Sequence, residues 1–335
     1  MPQRIEALKA WLSTLPEVGD FTLEPASGDA SFRRYFRITT ADGSYIAMDA
    51  PPEKEDVRPF IQVAEAFEAI GLNVPHIHAR DPVKGYLLLE DQGSTLYLDR
   101  LNEQTKDRLY GDALGALVTL QACGPLDGLP SYDRKLLLQE MALFREWLVG
   151  RQLGIALTEA EQRMLDETFD ALAMNALSQP QVCVHRDYHS RNLMVTPSHN
   201  PGILDFQDAV IGPVTYDLVS LLRDCYIRWP REQVEAWVRG YFDLALQSGV
   251  LRAEHEATFM TWFDLMGVQR HLKASGIFAR LYLRDGKAGY LKDIPRTLQY
   301  ILEVADAYPV LEGLNGLLRE KVMPGMATDC LISGQ

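Results

Sequence analysis

Apolar residues between positions 21 and 89 fall in short runs, at 35–39, 45–48 and 86–89, parted by Gly, Asp and Pro, a rhythm that predicts a small sheet. Residues 57–70 keep a different period. Phe60, Val63, Ala64, Phe67 and Ile70 recur at helical spacing and the run stops at Gly71, a residue suited to a helix C-cap, so one helix is expected to pack on the sheet. At the start of the chain, Ile5, Leu8, Trp11, Leu12 and Leu15 share one helical face while Arg4, Glu6 and Lys9 interrupt the apolar run, which predicts an amphipathic helix and not a signal peptide. Beyond Glu90-Asp91-Gln92-Gly93 the pattern changes to long helices. One covers 133–149, and another opens on the capping box Thr158 with Glu161 and continues through Leu165, Phe169, Leu172 and Leu177. The expected class is therefore α+β: an N-terminal lobe at 1–91 with an antiparallel sheet and a helix, and a larger, mostly helical lobe at 92–335. Inside the helical part lies one β-rich island at 181–184, 193–196 and 203–206, with Pro197, Ser198, Asn200, Pro201 and Gly202 turning the chain between its last two strands.

Composition narrows what such a chain can do. Its 335 residues, 47% apolar and 24% charged, suffice for two lobes sharing a cleft. A formal charge of -13 repels DNA and anionic membranes at long range, so neither is an expected partner, and no obligate protein partner is expected either. Cys123, Cys183, Cys225 and Cys330 lack the paired spacing of a zinc site and the density of a disulfide scaffold, and read as reduced thiols. No uncharged apolar stretch is long enough to cross a bilayer, and the expectation is a soluble cytoplasmic protein.

The island carries the chemistry. It reads His185-Arg186-Asp187-Tyr188-His189-Ser190-Arg191-Asn192, followed thirteen residues after Asn192 by Asp205-Phe206-Gln207. The first stretch fits the H-R-D-x-x-x-x-N loop of protein kinases, in which the Asp accepts the substrate hydroxyl proton and the Asn binds Mg2+. A hydroxyl nucleophile needs a carboxylate within hydrogen-bond reach, and the phosphates of ATP need hard oxygen ligands that hold Mg2+ against them. Asp187 is thus the expected catalytic base, Asn192 and Asp205 the metal ligands, and His185 a brace for the loop. Competing signatures are missing: there is no G-x-x-x-x-G-K-[ST] loop, no Rossmann fingerprint, no H-E-x-x-H and no G-x-S-x-G. A new helix starts at Tyr216-Asp217-Leu218, Gln207 replaces the glycine of D-F-G, and no A-P-E follows. That leaves no room for a peptide-docking segment, so the expected substrate is a small molecule.

On these residues the chain resembles the aminoglycoside phosphotransferase family, which has a protein-kinase-like two-lobed fold. His185, Asp187 and Asn192 match the family's H-x-D-x-x-x-x-N loop, Asp205 its metal-binding aspartate, and Asp217 the helix start that supports the loop. Residues 28–36, 48–52, 88–91, 269–273 and 276–280 further resemble the family's bacterial anomeric kinases of N-acetylmuramate and N-acetylglucosamine, which serve cell-wall recycling. The resemblance implies ATP and Mg2+ as cofactors, an amino sugar as substrate, and adenine read by the backbone at Glu90, Asp91 and Gln92. It also implies a phosphate-covering turn from Ser27 and Gly28 to Ser31. The strand lysine that pairs with the phosphates in the family is Met48 here, so either Arg33 or Arg34 substitutes as cation or the phosphates rely more on magnesium, and neither Glu65 nor Glu68 can be assigned as the lysine's partner.

Substrate contacts are expected from His189, Asp224, Arg270 and Lys273. Residues 270–296 hold seven basic side chains against two acidic ones, and Arg270, Lys273, Arg280 and Arg284 line one helical stripe. That stripe either meets an anionic group such as the lactyl carboxylate of N-acetylmuramate or is a solvated helix face. It argues against polycationic aminoglycosides. Tyr226, Trp229 and Trp262 are read either as sugar-stacking rings or as core. The alternatives are another kinase of the same family, acting on an aminoglycoside, choline or homoserine, and a nucleotide-binding module without turnover.

Overall fold

The sheet texture resolves into five antiparallel strands, β1 (Thr22–Gly28), β2 (Arg34–Thr39), β3 (Ser44–Asp49), β4 (Ile77–Asp81) and β5 (Tyr86–Glu90), in the order β1-β2-β3-β5-β4. The computed structural model describes residues 2–28 and 32–332. β1 and β4 are the two edge strands, and their polar sequences explain why no apolar run announced them. The amphipathic N-terminal helix α1 (Pro2–Leu12) does what its pattern predicts: Leu8, Trp11 and Leu12 form one core with Phe36, Ile38, Ala47, Tyr86 and Leu88. Pleating sorts the opposite strand positions onto the other face, where Tyr35 pairs with Met48 and Met48 with Leu87. Helix α2 (Arg58–Ala69) ends, as its sequence requires, before Gly71 at φ +85°. Its Phe60 and Phe67 pack on Phe206 with ring centroids 4.8 and 5.8 Å apart.

The chain divides into two compact units, residues 1–112 with 191–208, and residues 113–190 with 209–335. The first takes in the sheet, α1, α2, the short α3 (Tyr97–Arg100), the start of α4 (Lys106–Cys123) and a later excursion of the chain. That excursion is the hairpin of β7 (Leu193–Met194) and β8 (Gly202–Ile203), each two residues long and shorter than the apolar runs suggest.

The second unit is helical. It holds α5 (Arg134–Leu143), α6 (Glu159–Leu177), α7 (Tyr216–Leu222), α8 (Arg231–Gln247), α9 (Glu256–Asp285), α10 (Ile294–Ala305), α11 (Glu312–Leu317) and α12 (Met323–Ile332). One small sheet pairs β6 (Gln181–Val184) with β9 (Val210–Pro213). Asp133 caps α5 by accepting from the Leu136 N–H, and Thr158 with Glu161 makes the predicted capping box of α6. Past Leu143 the helix widens into π-helical turns over Phe144–Gln152. The widening begins where α9 presents Gly276, at which a Cβ would come within 2.3 Å of the Leu143 carbonyl carbon. From Phe263 to Lys273 every side chain of α9 is buried, so this helix runs through the middle of the unit. No helix among the described residues is long and apolar enough to cross a membrane. Cys123, Cys183 and Cys225 are free thiols, and Cys330's side chain lies outside the described part.

Candidate active site

Asp187 sits in the second unit on the loop that leaves β6, and the loop's shape is imposed by two carboxylates. Arg186, just before Asp187, takes a left-handed conformation at φ +77°, which a branched or bulky side chain avoids and which costs about 1–3 kcal/mol unless the surroundings fix it. Asp217, in the first turn of α7, fixes it: its Oδ2 accepts from the His185 N–H at 2.6 Å and its Oδ1 from the Arg186 N–H at 3.0 Å. Burial pushes the Asp217 carboxyl up to about 7, against the two backbone donors that favour its ionised form. Beyond the bend, Asp224 accepts from the Ser190 N–H at 2.9 Å and from the Tyr226 N–H at 3.0 Å. Both of its oxygens therefore hold backbone, so in this geometry Asp224 positions the loop. His185 is fully buried and bonded through Nδ1 to the Asp187 N–H at 3.2 Å, which makes it a brace for the loop.

Around Asp187 the field is positive. Partial burial raises its carboxyl pKa, but Lys273, then His189, Arg270 and His185, outweigh that and leave the net shift downward. Lys273 is buried and bound to Tyr216 Oη at 2.8 Å and Glu140 at 3.0 Å. Glu140 in turn holds Arg186 at 2.6 Å and accepts from Tyr132 Oη. Burial raises the Glu140 carboxyl, and Lys273 and Arg186 bring it net below its ordinary range. Arg270 is buried too, with Nη1 3.8 Å from Cys225 Sγ and no hydrogen-bond partner for Nε. The basic stripe is thus no single solvated face: Arg270 and Lys273 lie inside, while Arg284 is exposed and paired with Asp285. Of the candidate sugar-stacking rings, Tyr226 meets His189 edge-on at 5.4 Å, Trp229 is buried against Trp237, and Trp262 leans on His255.

Asn192 and Asp205 belong to the first unit, at the open end of the β7–β8 hairpin. The Leu204 N–H donates to the Asn192 carbonyl, and Asn192 Nδ2 lies 3.4 Å from Asp205 Oδ2. Asp205 takes a left-handed φ of +61° and accepts from Gln207 Nε2 at 2.8 Å, so the glutamine in place of the usual glycine becomes a partner of the aspartate. Arg33 reaches Asp205 at 3.3 Å and Glu55 at 3.3 Å, whereas Arg34 points to the α1 face and binds Asp49, which also binds Arg4. A carboxylate and a carboxamide oxygen are hard donors of the kind Mg2+ takes. Among the described residues no cluster of three or more His, Cys, Asp or Glu side chains could hold a metal.

The strand end expected to meet the base is tied by its side chains. Asp91 is bidentate to Arg37 at 2.7 and 3.0 Å, and Gln92 Nε2 bonds Asn73 at 3.0 Å and Glu90 at 3.3 Å. Gly28 closes β1 opposite Arg34, while Ser31 and the side chain of Ser27 lie outside the described residues. Glu65 and Glu68 are engaged by Arg80 and His76. Sequence reasoning did not single out Glu55, Glu140 or Tyr132; nothing local marks a carboxylate whose partners come from distant segments.

Residues 22–255 match the model of the phosphotransferase enzyme family (APH). The chain is 46% identical over 329 residues to the N-acetylmuramate/N-acetylglucosamine kinase of Pseudomonas putida, covering 95% of this chain and 96% of that one. It is 45% identical over 325 residues to the protein of the same description from Neisseria meningitidis serogroup B, covering 96% of each. Among solved structures, the choline kinase LicA of Streptococcus pneumoniae matches with a TM-score of 0.64 at 15% identity, covering 90% of this chain and 99% of that one, a likeness of fold.

Proposed function

The chain belongs to the phosphotransferase enzyme family (APH), and from that premise we propose that it is a cytoplasmic, ATP- and Mg2+-dependent kinase that phosphorylates the anomeric hydroxyl of N-acetylmuramate and N-acetylglucosamine. The observation that carries this reading is the loop of Asp187: a carboxylate held ionised by surrounding cations, on a left-handed bend clamped by Asp217. An anomeric hydroxyl is more acidic than an ordinary alcohol, so an ionised carboxylate suffices as base. Asp187 orients the hydroxyl and takes its proton as the oxygen attacks the terminal phosphorus and ADP leaves. Asn192 and Asp205 offer the hard oxygens for the metal, which when bound neutralises charge on the phosphates. The cations around Asp187 suit an acceptor that is neutral or anionic better than a polycation.

A coupled ATP-consumption assay over a panel of amino sugars, choline, homoserine and aminoglycosides tests the assignment, with phosphorus NMR of the product. The expected product is a sugar 1-phosphate, whose phosphorus couples to the anomeric proton. Asp187→Ala is expected to lower turnover about 10²- to 10⁴-fold with the fold intact. Product from choline or an aminoglycoside alone, or wild-type turnover in the variant, overturns the reading.

A further inference from the structure

A nucleoside triphosphate keeps net negative charge after one divalent ion has bound, and a kinase that positions it needs a fixed cation beside the metal ligands. The strand position where a lysine would be expected is Met48, buried in β3. Resting on the kinase reading above, we propose that Arg33 is this cation: shared between Glu55 and Asp205, it grips the phosphate chain of the nucleotide.

Strand pleating separates the two neighbouring arginines. Arg34 pairs across the sheet with Asp49 and shares its face with Phe36, Ile38 and Ala47, the face that α1 covers. There it is committed to Asp49, a fully buried carboxylate that Arg4 also holds. Tyr35 pairs with Met48 on the other face. Arg33 lies just before β2, and its ion pairs with Glu55 and Asp205 set it apart from the Asp49 side that Arg34 takes.

The contacts of Arg33 suit a transferable grip. Its side chain is only 6% exposed, so its charge acts in a poorly screened setting. Nε lies 3.3 Å from Glu55 and Nη2 lies 3.3 Å from Asp205, both longer than the ~2.7–2.9 Å of a tight charge-assisted bond. When Asp205 turns its charge to a metal ion, the Nη2 edge of Arg33 can move to a phosphate oxygen while Nε stays on Glu55. An arginine can do both because its donors lie on separate edges of a rigid plane, which a lysine's single ammonium does not provide. Glu55, on the connection between β3 and α2, thereby takes the anchoring role that Glu65 and Glu68 on α2, bound to Arg80 and His76, do not fill.

Calorimetric titration of the full chain with ADP, ATP and adenosine, each with Mg2+ and again in chelator, tests the assignment. In Arg33→Met, ADP and ATP affinities are expected to fall about 10- to 100-fold under both conditions, with adenosine affinity unchanged. Arg33→Lys is expected to fall between the two. A loss seen only with Mg2+ means that Arg33 acts only through Asp205, and it overturns the proposal, as does wild-type affinity in the variant. Glu55→Gln supplies an independent reading should Arg33→Met not fold: with the anchor of Nε weakened, ADP affinity in chelator is expected to fall severalfold with adenosine affinity unchanged, and unchanged or tighter ADP binding counts against the proposal. A wild-type chain that binds neither ATP nor ADP refutes the kinase reading itself, a result distinct from all of these.

Discussion

Lys273 is foremost among the charges that lower the Asp187 pKa, and it acts from inside the fold, bound to Glu140 and Tyr216. A base must be deprotonated to accept the acceptor hydroxyl's proton, so a lowered pKa extends its working range into acid. Removing the cation weakens that shift: Lys273→Met should raise the Asp187 pKa and move the acid limb of the kcat/KM–pH profile upward. Profiles of both proteins from neutrality to below the ordinary Asp value of about 3.9 check this, with circular dichroism confirming that both are folded at each pH; superimposable acid limbs would exclude the electrostatic role. The role of Lys273 as a buried counter-ion was not legible from the chain, where it appears as one of several basic residues on a helical stripe. Asp187, Asn192 and Asp205 stand out in the sequence because motif chemistry fixes residue type and spacing at once. Arg33 and Arg34 stood undivided in sequence, since only their partners in the fold, Asp49 for Arg34 and Glu55 with Asp205 for Arg33, tell them apart.

One scale up, the loop between β6 and the hairpin is an element with no repeating hydrogen bonds of its own, and α7 substitutes for them. Asp217 offers two oxygens to two adjacent backbone N–H groups and so stabilises the bend at Arg186. Asp217→Asn keeps the shape but replaces one acceptor by a donor, leaving a buried N–H facing an N–H. The expected result is a stability loss of about 1–3 kcal/mol with a larger loss of turnover, while ADP affinity is retained. Urea unfolding, steady-state kinetics and ADP titration measure the three quantities; wild-type stability and turnover together rule out the clamp. Elements with a strong period were readable in advance, among them α1, α2 and α6 with its capping box. Others were not. The edge strands β1 and β4 carry too little apolar signal, and the π-helical turns after Leu143 answer to a partner helix rather than to local propensity.

For the molecule as a whole, a charge of -13 coexists with a helix interior that buries Asp264, Arg270, His271 and Lys273 on α9. Such a helix is possible because three of these four groups meet a partner group: Asp264 holds Arg223, Lys273 meets Glu140, and the His271 ring is bonded to the Arg223 carbonyl and stacked on Tyr300. Burial pushes the His271 pKa down to about 3, so this ring stays neutral across the working range. The stripe's charge was visible in sequence, but whether it faced water or the interior depended on helices far along the chain that cover α9. The point where this packing is least forgiving is Gly276. A Cβ there would stand 2.3 Å from the Leu143 carbonyl carbon, 2.5 Å from its oxygen and 2.5 Å from the Phe144 nitrogen, all backbone atoms that cannot rotate away. Gly276→Ala is helix-favouring by about 1 kcal/mol in isolation, yet close approach of α9 to α5 should reverse the sign and give a net destabilisation of about 1–3 kcal/mol. For a unit of this size that corresponds to a fall in melting temperature of roughly 2–12 °C. Thermal unfolding followed by circular dichroism reads it directly. Gly240, on α8 with nothing within 4 Å of its would-be Cβ, is the internal control: Gly240→Ala should raise the midpoint, and a rise in both variants would show that α9 does not press on α5 as described.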